Sequence, residues 1–257
     1  MIIYALSDPH LSHGVDKPMD VFGRHWAGHA DKIADAWKRI VRDEDLVLVP
    51  GDISWATRLS EAKPDLVFLD ALPGLKLLTK GNHDYWWPSK KRDFKFDSLR
   101  SMRFLHGRTV RAGALAIAAT RGWVSPGDSW FRPADQKIFD KEMRFLKQAL
   151  ESMGDASFRL CMLHYPPFDD SLSPAPAAAA LEASGVQHVV FGHLHGEDCI
   201  NAARWGRSQE ITYHLASCDA LDFAPMRILE VPTRVEAALH SNWDRADIPR
   251  LALPNRA

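Results

Sequence analysis

Short apolar runs alternate with amphipathic stretches along the chain, which is the pattern of an α/β fold. Residues 2–6, 46–49 and 75–79 read as the first three strands. Between them, residues 31–41 place Ile33, Trp37 and Ile40 on one helical face. Residues 59–72 read as a helix in spite of Pro64 near the start. Further along, 104–119 suggests a hairpin turning at Gly107-Arg108 and followed by the apolar strand 114–119. The plainest helix is 133–152, where Phe139, Met143, Leu146 and Leu150 recur at i, i+4, i+7 and i+11. Pro133 suits its first turn, because that N–H has no intrahelical partner. Strands are expected at 159–163 and 188–191, with a loop leading into a short helix over 173–183. The C-terminal third, with 210–215 and 226–231, looks strand-rich. Segments 11–28 and 121–132 are polar and irregular, as loops over a site would be. No repeat or linker divides the chain, so one domain over 1–257 is expected.

Composition narrows the class. A chain of 257 residues is long enough for one large α/β domain with a substantial core. Its 46% apolar and 25% charged residues exclude a disordered or membrane composition. A net charge of -1 gives no global basic field, so nucleic acid is not the expected partner. Residues 1–8 lack the basic start and long apolar stretch of a secretory signal. No run approaches the ~20 apolar residues that span a bilayer. Cys161, Cys199 and Cys218 are scattered and form no C-x-x-C pair, which argues against a disulfide framework or a thiolate zinc site. A reducing, cytoplasmic setting is the expectation.

Candidate chemistry lies immediately past the strands. Residues 2–6 run into Ser7-Asp8-Pro9-His10, and 46–49 into Pro50-Gly51-Asp52. The third strand leads into Lys80-Gly81-Asn82-His83-Asp84. Residues 159–163 end in His164, and 188–191 run into Gly192-His193-Leu194-His195. Five apolar strands thus each deliver oxygen or nitrogen donors at their carboxyl ends, the edge where open α/β sheets assemble ligand sites. Burying so many polar groups without partners is costly, and convergence on metal explains them together. Carboxylate, imidazole and amide oxygen without thiolate suit divalent Mn, Fe or Zn. Glycines before Asp52, Asn82 and His193 permit close backbone approach.

The order D-x-H, G-D, G-N-H-D, H, G-H-x-H over residues 2–196 resembles the calcineurin-like metallophosphoesterase superfamily. Segments 16–22, 50–55 and 81–87 resemble a bacterial branch of predicted phosphohydrolases. The resemblance implies two central β-sheets packed face to face with helices outside, a four-layer α/β/β/α sandwich. Carried over motif by motif, it implies that Asp8, His10 and His195 hold a first metal ion, and Asn82, His164 and His193 a second. Asp52 would bridge two divalent or mixed-valence ions about 3.5–4 Å apart. A water or hydroxide between them would attack phosphorus in line with the leaving oxygen. His83 would contact the phosphate and protonate the leaving group, and Asp84 would orient and charge it.

The activity implied is hydrolysis of a small-molecule or nucleotide phosphoester, with monoester and diester both open. A lipid-precursor pyrophosphatase of the superfamily typically has Arg where this chain has His83, and a protein phosphatase Glu where it has Asp84. The alternative is a non-catalytic metal-binding interaction module on the same fold. Such members lose ligands or the proton-donating histidine, and this chain keeps them.

The remaining candidates receive plainer readings. His188 and His214 are expected within the sheet, His13, His25 and His29 in a solvated loop, and His106 and His240 on the surface. Trp55, Trp86 and Trp87 are expected to pack in preference to forming an aromatic wall for a leaving group. Trp123 and Trp130 with Arg121 and Arg132 could form a phosphate-side lid, but the two arginines are read as surface residues in preference. Residues 90–92 read as a solvated helix face, the cysteines as buried and inert, and Asp219 and Asp222 as parts of a strand-connecting turn.

Overall fold

Alternation along the strands sorts their side chains into three apolar layers, and those layers define the architecture. The structure, a computed structural model, describes residues 1–89, 99–169, 173, 175–197, 206–208 and 210–243. In β1 (Ile2–Ala5), Ile3 and Ala5 point one way and Tyr4 the other. In β2 (Leu46–Val49), Leu46 and Leu48 join Ile3, while Val47 and Val49 join Tyr4. With β3 (Leu75–Leu78), β4 (Met102–Phe104) and a late strand, β11 (Met226–Glu230), these form a five-stranded sheet in the order β11-β1-β2-β3-β4. Only β11 runs antiparallel to its neighbour.

The second sheet contains β5 (Arg108–Ala112), β6 (Leu115–Thr120), β7 (Phe158–Leu163), β8 (His188–Phe191), β9 (Gly206–Ser208) and β10 (Ile211–Leu215). Its order is β5-β6-β7-β8-β10-β9, parallel in the middle with antiparallel edges. Leu115, Ile117, Ala119, Leu160, Met162 and Val190 face the inner layer and meet Ile3, Leu46 and Leu48 there. The outward residues of the first sheet pack with Ile33 and Trp37 of α1 (His29–Ile40) and Leu66 and Leu69 of α2 (Leu59–Asp70). Those of the second sheet pack with Leu146 and Leu150 of α3 (Gln136–Glu151) and Leu181 of α4 (Pro176–Ala183). The result is the four-layer α/β/β/α sandwich.

One expectation is corrected here. The hairpin does not turn at Gly107-Arg108. Phe104 ends β4 in the first sheet, and residues 105–107 cross to the second. The turn is the two-residue Gly113-Ala114 between the paired Ala112 and Leu115, where Gly113 supplies a φ of 58°. The C-terminal third carries the two expected strands and, after them, a helix that was not expected. Thr233–Trp243 forms α5, whose Val235, Leu239 and Trp243 recur at i, i+4 and i+8 and enter the inter-sheet layer. Arg103, fully buried on β4, donates from Nε to the Trp243 carbonyl at 2.9 Å and so holds the end of α5 against the first sheet.

The helix expected over 133–152 opens as a 3-10 turn, Pro133–Asp135, before α3 begins. Cys161 and Cys218 are buried as expected, and burial pushes both thiols up, which keeps them protonated. Residues 90–92 and Cys199 lie outside the described residues. No helix among the described residues is long and apolar enough to cross a membrane.

Ile117 is fully buried between the sheets, so truncating it leaves a cavity that the facing strands can fill only in part. Ile117→Ala is expected to lower unfolding stability by about 2–5 kcal/mol. In urea unfolding the midpoint should fall at an unchanged m-value. A loss under about 1 kcal/mol would mean that this layer is not the packed core.

Candidate metal centre

The parallel strands β1, β2, β3, β7 and β8 end at one edge, and sharp turns follow β1, β2 and β8. Asp8, His10, Asp52 and His193 have φ of 57°, 43°, 49° and 71°, left-handed conformations that non-glycine residues rarely adopt. Each costs roughly 1 kcal/mol or more and persists only where surroundings enforce it. Here the loops lock one another. Asp8 N–H donates to Gly51 O and His10 N–H to Asp52 O, each at 3.0 Å, and Ser7 N–H reaches Ala216 O at 2.6 Å. Space is equally constrained at two glycines. A Cβ on Gly81 would lie 2.0 Å from Asp52 Oδ1, and one on Gly192 would lie 2.1 Å from Asp8 Oδ2. The glycines expected to permit close approach therefore border the two carboxylates directly.

Asp8 lies at the centre of the cluster, fully buried. Its carboxylate accepts the His193 N–H, at 3.0 Å to Oδ2, and the Ser217 hydroxyl at 3.3 Å. His195 Nε2 lies 3.5 Å and His164 Nδ1 3.7 Å from Asp8 Oδ1. His10 Nε2 faces His195 Nε2 at 3.3 Å and Asp52 Oδ2 at 3.8 Å. Asp52 Oδ2 is in turn 3.5 Å from His164 Nε2, and Asp52 Oδ1 accepts the His83 N–H at 2.8 Å. Asn82 Oδ1 comes within 2.6 Å of His164 Nε2. Donor atoms of Asp8, His10 and His195 lie within 4.8 Å of one another, as do those of Asp8, Asp52 and His164.

The first group contains the three residues expected at the first metal position. The second unites Asp52 with His164, with Asn82 alongside. His193 is brought close by its backbone, but its imidazole lies outside both groups, with its ring centre 4.0 Å from Tyr165 and 5.1 Å from His164.

The electrostatics of the cluster fit a cation. Burial, and then the negative charge of Asp8, push the Asp52 carboxyl up to about 8. Burial acts against Asp8 as well, but the hydrogen bond and charge of His195, followed by His164 and His10, hold it well below the usual carboxylate range. Burial pushes His10 and His164 down, and takes His193 to about 3. His195 is the exception: burial would lower it, yet hydrogen bonds to Asp219 and Asp8 raise it to about 10. Two buried carboxylates repel each other unless positive charge lies between them. A thiolate-free set of carboxylate, imidazole and amide donors supplies suitable ligands for a divalent ion.

His83 sits at the rim, half-buried, with its ring centre 4.6 Å from Trp55 and 5.9 Å from His10. Asp84 does not serve it. The Asp84 carboxylate is fully buried and accepts N–H groups from Gly81 at 2.8 Å, Ile53 at 2.9 Å, Ser54 at 3.3 Å and the Trp86 indole at 2.9 Å. Among the described residues none of its hydrogen bonds goes to His83. Asp84 therefore ties the loop after β2 to the loop after β3, which corrects the expectation that it orients and charges His83.

Other expectations divide. Trp86 and Trp87 are buried against Phe104, and Trp55 stacks on His10 at 4.7 Å, so all three pack. His188 and His214 pair across β8 and β10 at 3.0 Å, within the sheet as expected. His13 is engaged by Asp65 at 2.8 Å. His29 is buried beneath the first ligand group, 3.3 Å from His10 O, and is no solvated loop residue. His106 is not a free surface residue either: it faces Glu142 at 3.6 Å, and burial pushes it down to about 4. Arg121 pairs with Glu142 at 3.2 Å and lies over Trp123 at 4.3 Å. Asp219, read as a turn residue, contacts His195 Nδ1 at 2.9 Å. Its only sequence signal was a position just past an apolar strand, the signal that marked Asp8 and Asp52.

A family model described as calcineurin-like phosphoesterase matches residues 1–197. Among solved structures, the chain is similar to the protein of unknown function AQ665 from Aquifex aeolicus. The two are 16% identical over 88% of this chain and 95% of that one, with a TM-score of 0.47. No curated protein matches it.

Because a Cβ at Gly192 would also lie 2.2 Å from Ser7 Oγ, Gly192→Ala is expected to push Asp8 out of place. Calorimetric titration with Mn(II) should show at least about tenfold weaker binding, the scale of losses on disturbing groups around metal ligands. Wild-type affinity in that variant would show that the close approach at Gly192 has no bearing on the cluster.

Proposed function

The chain belongs to the calcineurin-like phosphoesterase family, and on that premise we propose that it is a metal-dependent phosphoesterase hydrolysing a small-molecule or nucleotide phosphoester. The observation that carries this reading is the convergence of the buried Asp8, His10, Asp52 and His164 with the half-buried His195. In the proposal Asp8, His10 and His195 would hold one divalent ion and Asn82, His164 and His193 another, with Asp52 available to both. The position of Asp52 Oδ2, 3.8 Å from His10 and 3.5 Å from His164, supports that sharing. Mn, Fe or Zn suits these donors. When bound, such ions supply positive charge to the phosphoryl group and activate water as the nucleophile.

The chain's own residues do the rest. Buried hydrogen bonds to Asp8 and Asp52 fix their carboxylates, so no reorganisation is needed as charge develops on the substrate. Asp84 holds the loop that presents Asn82 and His83. His83, open to the rim, contacts the phosphate and donates a proton to the leaving oxygen. The proposal takes 1–257 as one domain, since β11 pairs with β1, and a cytoplasmic location suits its scattered cysteines.

The reading is tested with p-nitrophenyl phosphate and bis-p-nitrophenyl phosphate after removing metal and restoring Mn, Zn or Fe. Turnover that disappears on removal and returns with a divalent ion is the expected result, and the preferred ester separates monoesterase from diesterase. Metal binding without turnover on either ester, or on a panel of nucleotides, would favour an interaction module. His83→Ala should retain full metal content and lose about 10²–10⁴-fold in kcat, most for poor leaving groups. Depleted metal in this variant, or undiminished kcat, would remove His83 as the proton donor.

A further inference from the structure

The four residues after β10 pass directly beneath the first ligand group. Ala216 O accepts the Ser7 N–H at 2.6 Å, and Ser7 O accepts the Cys218 N–H at 2.9 Å. Ser217 Oγ donates to Asp8 Oδ2 at 3.3 Å, and the Cys218 thiol donates to the Asp8 carbonyl at 3.0 Å. Asp219 holds the next ligand and the residue after it: Oδ1 accepts from His195 Nδ1 at 2.9 Å, and Oδ2 accepts the Gly196 N–H at 3.1 Å. The Asp219 side chain is only 2% exposed, so water competes little for these contacts. All four residues lie beyond residue 197, where the family match ends.

A carboxylate can only accept hydrogen bonds, so the proton of a neutral His195 resides on Nδ1. Its lone pair is then on Nε2, the nitrogen 3.5 Å from Asp8 Oδ1 and 3.3 Å from His10 Nε2. The ring is also held against rotation, because the same carboxylate binds the backbone one residue further on. We propose that Asp219 is a positioning residue of the metal centre. It fixes the tautomer and orientation of His195, while Ser217 and Cys218 hold Asp8 from below. The segment after β10 is thereby an integral part of the first metal position. This inference rests on the metal-centre reading above.

If Asp219 merely closes a turn, its loss reduces stability and leaves metal binding alone. Asp219→Ala and Asp219→Asn separate the two cases. The measurements are Mn(II) stoichiometry and affinity by titration calorimetry, thermal unfolding of the metal-free protein, and histidine ring ¹⁵N spectra of the zinc-loaded protein. Wild type should bind two ions. Asp219→Ala should weaken one of them by roughly 10–100-fold and leave the other near wild type, a selective loss that a general fall in metal-free stability would not produce, with the His195 Nδ1–H signal lost. Asp219→Asn, whose amide oxygen can still accept from Nδ1, should retain part of the affinity. Wild-type binding of both ions by Asp219→Ala, or a loss that simply follows a fall in metal-free stability, would overturn the inference while leaving the metal centre intact. Wild type binding no divalent ion would overturn the metal-centre reading itself, and the inference with it.

Discussion

Asp8 and Asp52 are buried side by side at the carboxyl edge of the first sheet, and the mutual repulsion of these carboxylates is the constraint on which the site depends. Neither would stay ionised alone at that depth. Around them the chain arranges N–H donors from His83 and His193 and imidazoles from three loops. Without a cation the balance is uneven, with Asp8 held low and Asp52 pushed up to about 8. In the proposed reading a divalent ion would resolve it and would also provide the charge that phosphoryl transfer requires. Site stability and site chemistry then share one origin.

The backbone meets that constraint with strain. Four of the seven expected metal-binding residues take the left-handed conformation, which reverses the chain directly after a strand and returns the side chain over the sheet edge. Such a turn is sustainable because the loops hydrogen-bond to one another at the edge of two packed sheets. The glycines at 81 and 192 complete the arrangement by leaving room for carboxylate oxygens where any other residue would place a Cβ.

Much of this was legible in the sequence because strand ends are local features. A buried strand reads as an apolar run, and a polar residue just past it stands out, as Asp8, Asp52 and His164 did. The spacing in α3 was equally plain. What escaped notice depends on distant neighbours. Gly107 and Gly113 are both plausible turns, and only the pairing of β4 with β3 in the other sheet decides between them. The i, i+4, i+8 pattern of α5 was present but short. Asp84 adjoins His83 in sequence, yet two of its partners, Ile53 and Ser54, lie 31 and 30 residues earlier. Asp219 acts on a histidine 24 residues before it, and no local pattern announces such a partner.

Anomalous X-ray diffraction from crystals grown with Mn(II) tests the central claim most directly, because it locates ions without reference to activity. Two anomalous peaks should be found at the edge formed by β1, β2, β3, β7 and β8, one among Asp8, His10 and His195 and one beside His164, with Asp52 touching both. Full Mn(II) loading with no peak among these residues would contradict the account, as would a single ion bound only at an exposed carboxylate.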